Sequence, residues 1–152
     1  MRKSVLLFGL VLVLAAAAGV GASSVGYVDF EFLFNAHPEY DSRNAELQAY
    51  AEEITEEFQT AAAELETENE MESLAAEFER QLDQTADELR AALIASVREF
   101  IGQVADEQGV SVVLPDATIL YGGVNLTPIV LETMYESYGI SVPSSLREYL
   151  EN

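Results

Sequence analysis

The chain has one histidine and no cysteine, so thiol nucleophiles, disulfides and cysteine-bound metals are excluded from its chemistry. The histidine, His37, stands directly before Pro38. At such a helix start a lone imidazole caps or packs, whereas a metal needs several ligands converging on it. Asp29 and Asp116 are carboxylates that could pair for acid–base work, but no nucleophile or histidine accompanies either, and a strand end and a turn account for them. Glu52-Glu53 and Glu56-Glu57 place four carboxylates on neighbouring turns. Ca²⁺ asks for six or more oxygens at one point, so these read as a solvated helix face. Asn125-Leu126-Thr127 has the spacing of a glycosylation acceptor, yet Pro128 follows, and Thr127 reads instead as the cap of a helix with Pro128 at its first position. No glycine-rich phosphate loop is present. The remaining candidates are aromatic. Tyr50, Phe58 and Phe78 lie in long polar stretches, where they either fill a seam between helices or turn ring edges outward for weak, sequence-tolerant contacts with a partner. No set of nucleophile, base and orienting group can be assembled, so neither an enzyme nor a cofactor is expected.

These residues must be carried by few elements. Ser24 to Phe34 reads SVGYVDFEFLF, whose start, Val25 to Asp29, predicts a strand. Asn35-Ala36-His37-Pro38 breaks it, and Pro38, Glu39 and Asp41 suit the first turn of a helix and its positive dipole end. From Glu39 to Ile101 there is no glycine or proline, and alanine, glutamate, leucine and glutamine dominate. One apolar stripe runs Leu47, Tyr50, Ile54, Phe58, Ala61 and Leu65; a second begins at Met71 and Leu74 and continues through Phe78, Leu82, Ala86, Leu89, Leu93, Val97, Phe100 and Val104. Two one-sided helices separated by a phase break predict an antiparallel hairpin, in which each stripe buries the other, with its tip near 68–73. The alternative is one unbroken helix of roughly 100 Å. Between Ala91 and Ile101 the apolar residues cover most of the circumference, which predicts a base buried on several sides.

Gly109 ends the second helix; Val110 to Leu114 and Thr118 to Tyr121 read as strands, and a helix follows from Thr127 to about Tyr138. A short helix after Pro143-Ser144-Ser145 closes the chain. The expected fold is therefore α+β: residues 23–38 and 109–152 form a small β-rich body, and 39–108 form a hairpin arm emerging from it. Val28, Leu93, Val97, Phe100, Ile101 and Val112 are the candidates for body packing and oligomer contact. A body this small buries a small share of its surface, and oligomerisation is the natural remedy.

Met1 to Ala22 has the basic start, apolar run and small-residue ending of a secretory leader. Cleavage after Ala22 is expected; an uncleaved anchor is the alternative, since the run is only a little shorter than the ~17 to 25 residues of a bilayer span. Acidic residues number 27 against 7 basic ones, two of which, Arg2 and the one lysine, Lys3, lie in the leader. Nucleic acid and anionic surfaces are poor partners for such a chain. A surface this acidic suits a salty medium, where counterions screen its self-repulsion.

In order, these features are a leader, Val25-Gly26-Tyr27-Val28-Asp29, Pro38-Glu39, a long polar hairpin, Val104-Ala105 through Gly109 to Leu114, then Ile119-Leu120-Tyr121, Asn125-Leu126-Thr127 and Val130. This order resembles the Skp/OmpH-like periplasmic chaperones. The resemblance implies a trimer whose small bodies associate while three arms enclose a cavity for unfolded outer-membrane proteins, bound without ATP and kept from aggregating. A periplasmic coiled-coil scaffold or spacer is the alternative. The family's arms tend to be basic, whereas Glu39 to Gly109 here holds 20 acidic residues against Arg43, Arg80, Arg90 and Arg98. Lipopolysaccharide binding is accordingly not carried over.

Overall fold

The structure is a computed structural model that describes residues 24–151. The leader reading of 1–22, and the cleavage after Ala22, lie outside the described residues. The described chain is α+β and 71% helical, with one three-stranded parallel sheet.

β1 (Ser24–Val28) is the central strand, as the Val- and Tyr-rich start of the body predicts to within one residue. Asp29 then ends the strand and starts a helix. Its Oδ1 accepts the Phe32 amide at 2.8 Å as an N-cap, and its own amide donates to Thr127 Oγ1 at 2.9 Å. The six residues that follow, α1 (Phe30–Asn35), are helical, although the alternation of FEFLF disguises them as strand.

α2 (Tyr40–Ala62) and α3 (Glu68–Glu107) make the long helical segment. The break falls at 63–67, ahead of the expected tip at 68–73, and there is no single unbroken helix. The cause is a capping box: Thr67 Oγ1 accepts the Glu70 amide at 3.3 Å, and Glu70 Oε2 accepts the Thr67 amide at 3.2 Å. Two orphan amides are satisfied this way, so neither glycine nor proline is needed to start α3. At the far end Gly109 takes φ +65°, the left-handed conformation that stops a helix at low cost.

β2 (Val110–Pro115) pairs with β1 in parallel, and β3 (Val124–Asn125) pairs with its other edge, giving the order β2-β1-β3. The strand expected over Thr118 to Tyr121 does not form. Asp116–Thr118 is a 3-10 turn and 119–123 is irregular, and Leu120 and Tyr121 are fully exposed rather than packed on the sheet. α4 (Thr127–Ser137) follows, and α5 (Ser144–Glu151) starts after Pro143 as expected. Thr127 does not cap α4. Its hydroxyl is spent on the Asp29 amide, and Asn125 Oδ1 accepts the Thr127 amide at 3.0 Å in its place. The body is thus less β-rich than expected, since α1, α4 and α5 outnumber the strand residues.

Leu33, Val97, Val104, Leu126, Val130, Leu131 and Met134 are fully buried and form the core with Val28. At the base of α3, Leu93 and Val97 are buried and Phe100 and Ile101 half-buried, but Ala91, Ala92 and Ala95 are exposed. Within one chain the base is therefore dry on one face rather than several.

Candidate functional site

α2 and α3 meet at two places. Tyr40 and Leu47 line a small cavity of about 90 Å³ with Ala86, Leu89 and Leu93, while near the break the Phe58 and Phe78 rings pack edge-to-face at 5.5 Å. This places two of the three candidate aromatics in the seam, and Tyr50 is half-buried on the same stripe. Burial along the pair is thin. Ile54 is the one buried residue of α2, and no α3 residue before Leu93 is buried. Two narrow helices cannot close over each other's stripes, so Leu47, Phe58, Leu74, Phe78 and Leu82 all stay half-exposed in a single chain.

The sheet offers a second apolar surface. Residues aligned across parallel strands share a face, and alternate residues take opposite faces. Gly26 and Val28 look into the core, so Val25 with Val112 and Tyr27 with Leu114 look outward. Val25, Val112 and Leu114 are 38%, 46% and 38% exposed. Val28 thus packs within the chain as expected, whereas Val112 does not. Leu120 and Tyr121, fully exposed, stand beside Tyr27 in the irregular loop. Parallel sheets are ordinarily covered on both faces; among the described residues the outer face is covered only in part, leaving Val25, Val112 and Leu114 exposed.

The titratable residues are engaged structurally. Asp29 and Asp116 line one open cleft with Glu31 and Arg98, yet no histidine, serine or threonine lines it. Asp29 caps α1, and Asp116 Oδ1 accepts the Ala117 amide at 2.7 Å. Glu53, Glu56, Glu57 and Glu64 line an open acidic groove, and among the described residues no group of three or more His, Cys, Asp or Glu is placed to hold a metal. Arg43 bridges Glu39 at 3.2 Å and Glu46 at 3.1 Å, and Arg80 bridges Glu77 at 2.6 Å. His37 is buried; its Nδ1 accepts the Glu39 amide at 3.1 Å and its Nε2 lies 2.9 Å from Ser96 Oγ. Burial holds its pKa below the ordinary value; Glu39 pulls it up and Arg43 pushes it down.

No family model matches the chain, and no curated protein matches it significantly. Among the described residues no helix is long and apolar enough to cross a membrane. The residues that sequence reasoning missed are Leu33, Leu126 and Ser96, which fix the body and the root of the helix pair. The Asp29-x-x-Phe32 cap was the available signal for Leu33; nothing local marks Ser96, whose partner is 59 residues away.

Proposed function

We propose that the chain is a non-enzymatic periplasmic holdase of the Skp/OmpH-like kind. It binds unfolded outer-membrane proteins without ATP and keeps them soluble before their assembly. α2 and α3 act as an antiparallel hairpin arm, and three chains join through their bodies so that the arms surround one client.

The reading rests on one observation: strands from both sides of a 68-residue helical insertion close into a single small sheet, while the inserted pair keeps its apolar stripe half-exposed. An insertion that only stiffened the chain would have no use for such a stripe. A holdase does, since many weak apolar contacts retain a client and still let it leave. The partly exposed outer sheet face, with Val25, Val112 and Leu114, supports association through the body. Acidic arms make lipopolysaccharide a poor ligand and favour client segments of opposite charge.

The test is light scattering of a denatured β-barrel protein diluted into nucleotide-free buffer with and without the protein, its mass measured in parallel. Suppressed scattering with a mass of three chains is the expected result. A folded rod of any mass that leaves scattering unchanged would turn the assignment to a periplasmic scaffold or spacer.

A further inference from the structure

His37 is 3% exposed and held from two sides. The Glu39 amide can only donate, so Nδ1, which accepts it at 3.1 Å, carries no hydrogen. Nε2 therefore bears the ring's one N–H and donates it to Ser96 Oγ at 2.9 Å. The ring also meets Tyr138 edge-to-face at 5.7 Å. Position gives this contact set its reach. His37 sits in the turn between α1 and α2, Ser96 is on α3, and Tyr138 caps the end of α4. One neutral imidazole thus fastens the root of the helix pair to the body.

A proton at Nδ1 would set N–H against N–H and place a charge on a ring closed off from water. We propose that His37 is a proton-operated latch at the root of the α2–α3 pair: neutral, it fastens the 36–39 turn to α3; protonated, it lets go, and the first turn of α2 comes free of the body.

The charged groups acting on the ring are Glu39, at the N-cap of α2, and Arg43, in its first turn. Glu39 favours the imidazolium and Arg43 opposes it, and Arg43 is itself bridged to Glu39, which blunts that carboxylate's pull. Asp41, also on α2, acts on Tyr135 of α4. Ser96 brings a hydroxyl from α3, and Tyr138 a ring from α4. Burial outweighs these two charges, so the closed latch binds its proton less readily than a free histidine with its ordinary value of 6.5. The open state takes up the proton first. The latch is accordingly closed above about 6.5 and opens as the pH falls from there through the lowered value.

The experiment combines NMR titration of the imidazole, unambiguous because the chain has one histidine, with amide exchange of the full protein from about pH 7.5 to pH 5. The ring is expected to titrate below 6.5. Protection of the amides over 39–44, corrected for intrinsic rate, is expected to fall about tenfold per pH unit below that point, with β1 and β2 unchanged. His37→Gln should abolish the pH dependence. A ring titrating at or above 6.5, flat protection over 39–44, or an undiminished fall in His37→Gln would each overturn the latch. If His37→Gln does not fold, the ring titration and the wild-type exchange decide the matter alone.

Discussion

Gly26 lies on the inner face of the central strand, where a Cβ would come 2.8 Å from Leu126 Cδ1 and 3.0 Å from Val110 Cγ1. Leu126 is fully buried, so making room for the new methyl must disturb the packing around it. Gly26→Ala is therefore expected to destabilise the protein by about 1 to 3 kcal/mol, the usual cost of overpacking, read as a lower urea midpoint; an unchanged midpoint would show that Leu126 has a second rotamer to move to. Val97 is 0% exposed, and Val97→Asp would leave an unpaired charge in the core, an expected loss of several kcal/mol that unfolds the body. Leu93→Asp should act alike. Glu68→Gln, at an exposed position, should stay within about 0.5 kcal/mol, and equal effects at 68 and 97 would mean that base and tip are misplaced. These burial contrasts were legible in the sequence because Leu93 and Val97 continue a stripe at helical spacing. The role of Gly26 was not, since a lone glycine in a strand does not say what approaches it.

The start of α3 depends on a reciprocal pair of hydrogen bonds between Thr67 and Glu70. Thr67→Ala removes the hydroxyl that accepts the Glu70 amide, with an expected cost of about 0.5 to 2 kcal/mol to the helix. Exchange should quicken over the first turn of α3 and leave Leu93 to Val104 protected; uniform quickening would mean that the break is coupled to the body. The two helices and their stripes could be read from spacing alone, because packing narrow apolar faces leaves a phase signal. The break lies ahead of the expected tip because a phase change between stripes shows only where apolar spacing fails, whereas the helix-start pattern Thr67-x-x-Glu70 fixes where α3 begins. α1 was missed for a related reason. Its alternation fits a strand, but the Asp29 cap and the burial of Leu33 favour a helix. The run over Thr118 to Tyr121 failed in the opposite sense: strand propensity records fit to a half-buried pleated surface, and Leu120 and Tyr121 stand fully exposed.

At the scale of the molecule, two apolar surfaces and one dominant charge decide behaviour. Val112 is 46% exposed on the outer sheet face, so Val112→Asp should cost a single chain within about 0.5 kcal/mol. It should nevertheless lower the mass in solution if the bodies associate through that face, separating it from Val97→Asp, which removes the fold itself. An unchanged mass would assign association to another surface. Charge acts along the helix pair. Like-charged residues stand four apart within one helix at Glu52/Glu56, Glu53/Glu57, Glu68/Glu72, Glu79/Asp83 and Asp83/Asp87, whereas the break at 63–67 takes Glu64/Glu68 and Glu66/Glu70 out of that geometry. Each pair costs about 0.2 to 0.5 kcal/mol, so the arm carries a penalty of roughly 1 to 2.5 kcal/mol before screening. The ion pairs of Arg43 and Arg80 lie at the surface and offset little of it. The seam offers limited compensation, because Ile54 and the Phe58–Phe78 contact are its firmest points. Raising the ionic strength from about 0.01 M to 1 M shortens the Debye length from roughly 30 Å to roughly 3 Å, below the ~5 to 6 Å between such neighbours. The arm is therefore expected to fray between Glu52 and Asp87 at low salt and to become helical and protease-resistant at high salt, with the sheet and its core unchanged. Helicity and limited proteolysis across a sodium chloride series measure this directly. An arm equally ordered at both ends of the series would show that seam packing outweighs the repulsion, and the acidic faces would then bear on client charge rather than on the arm's own stability.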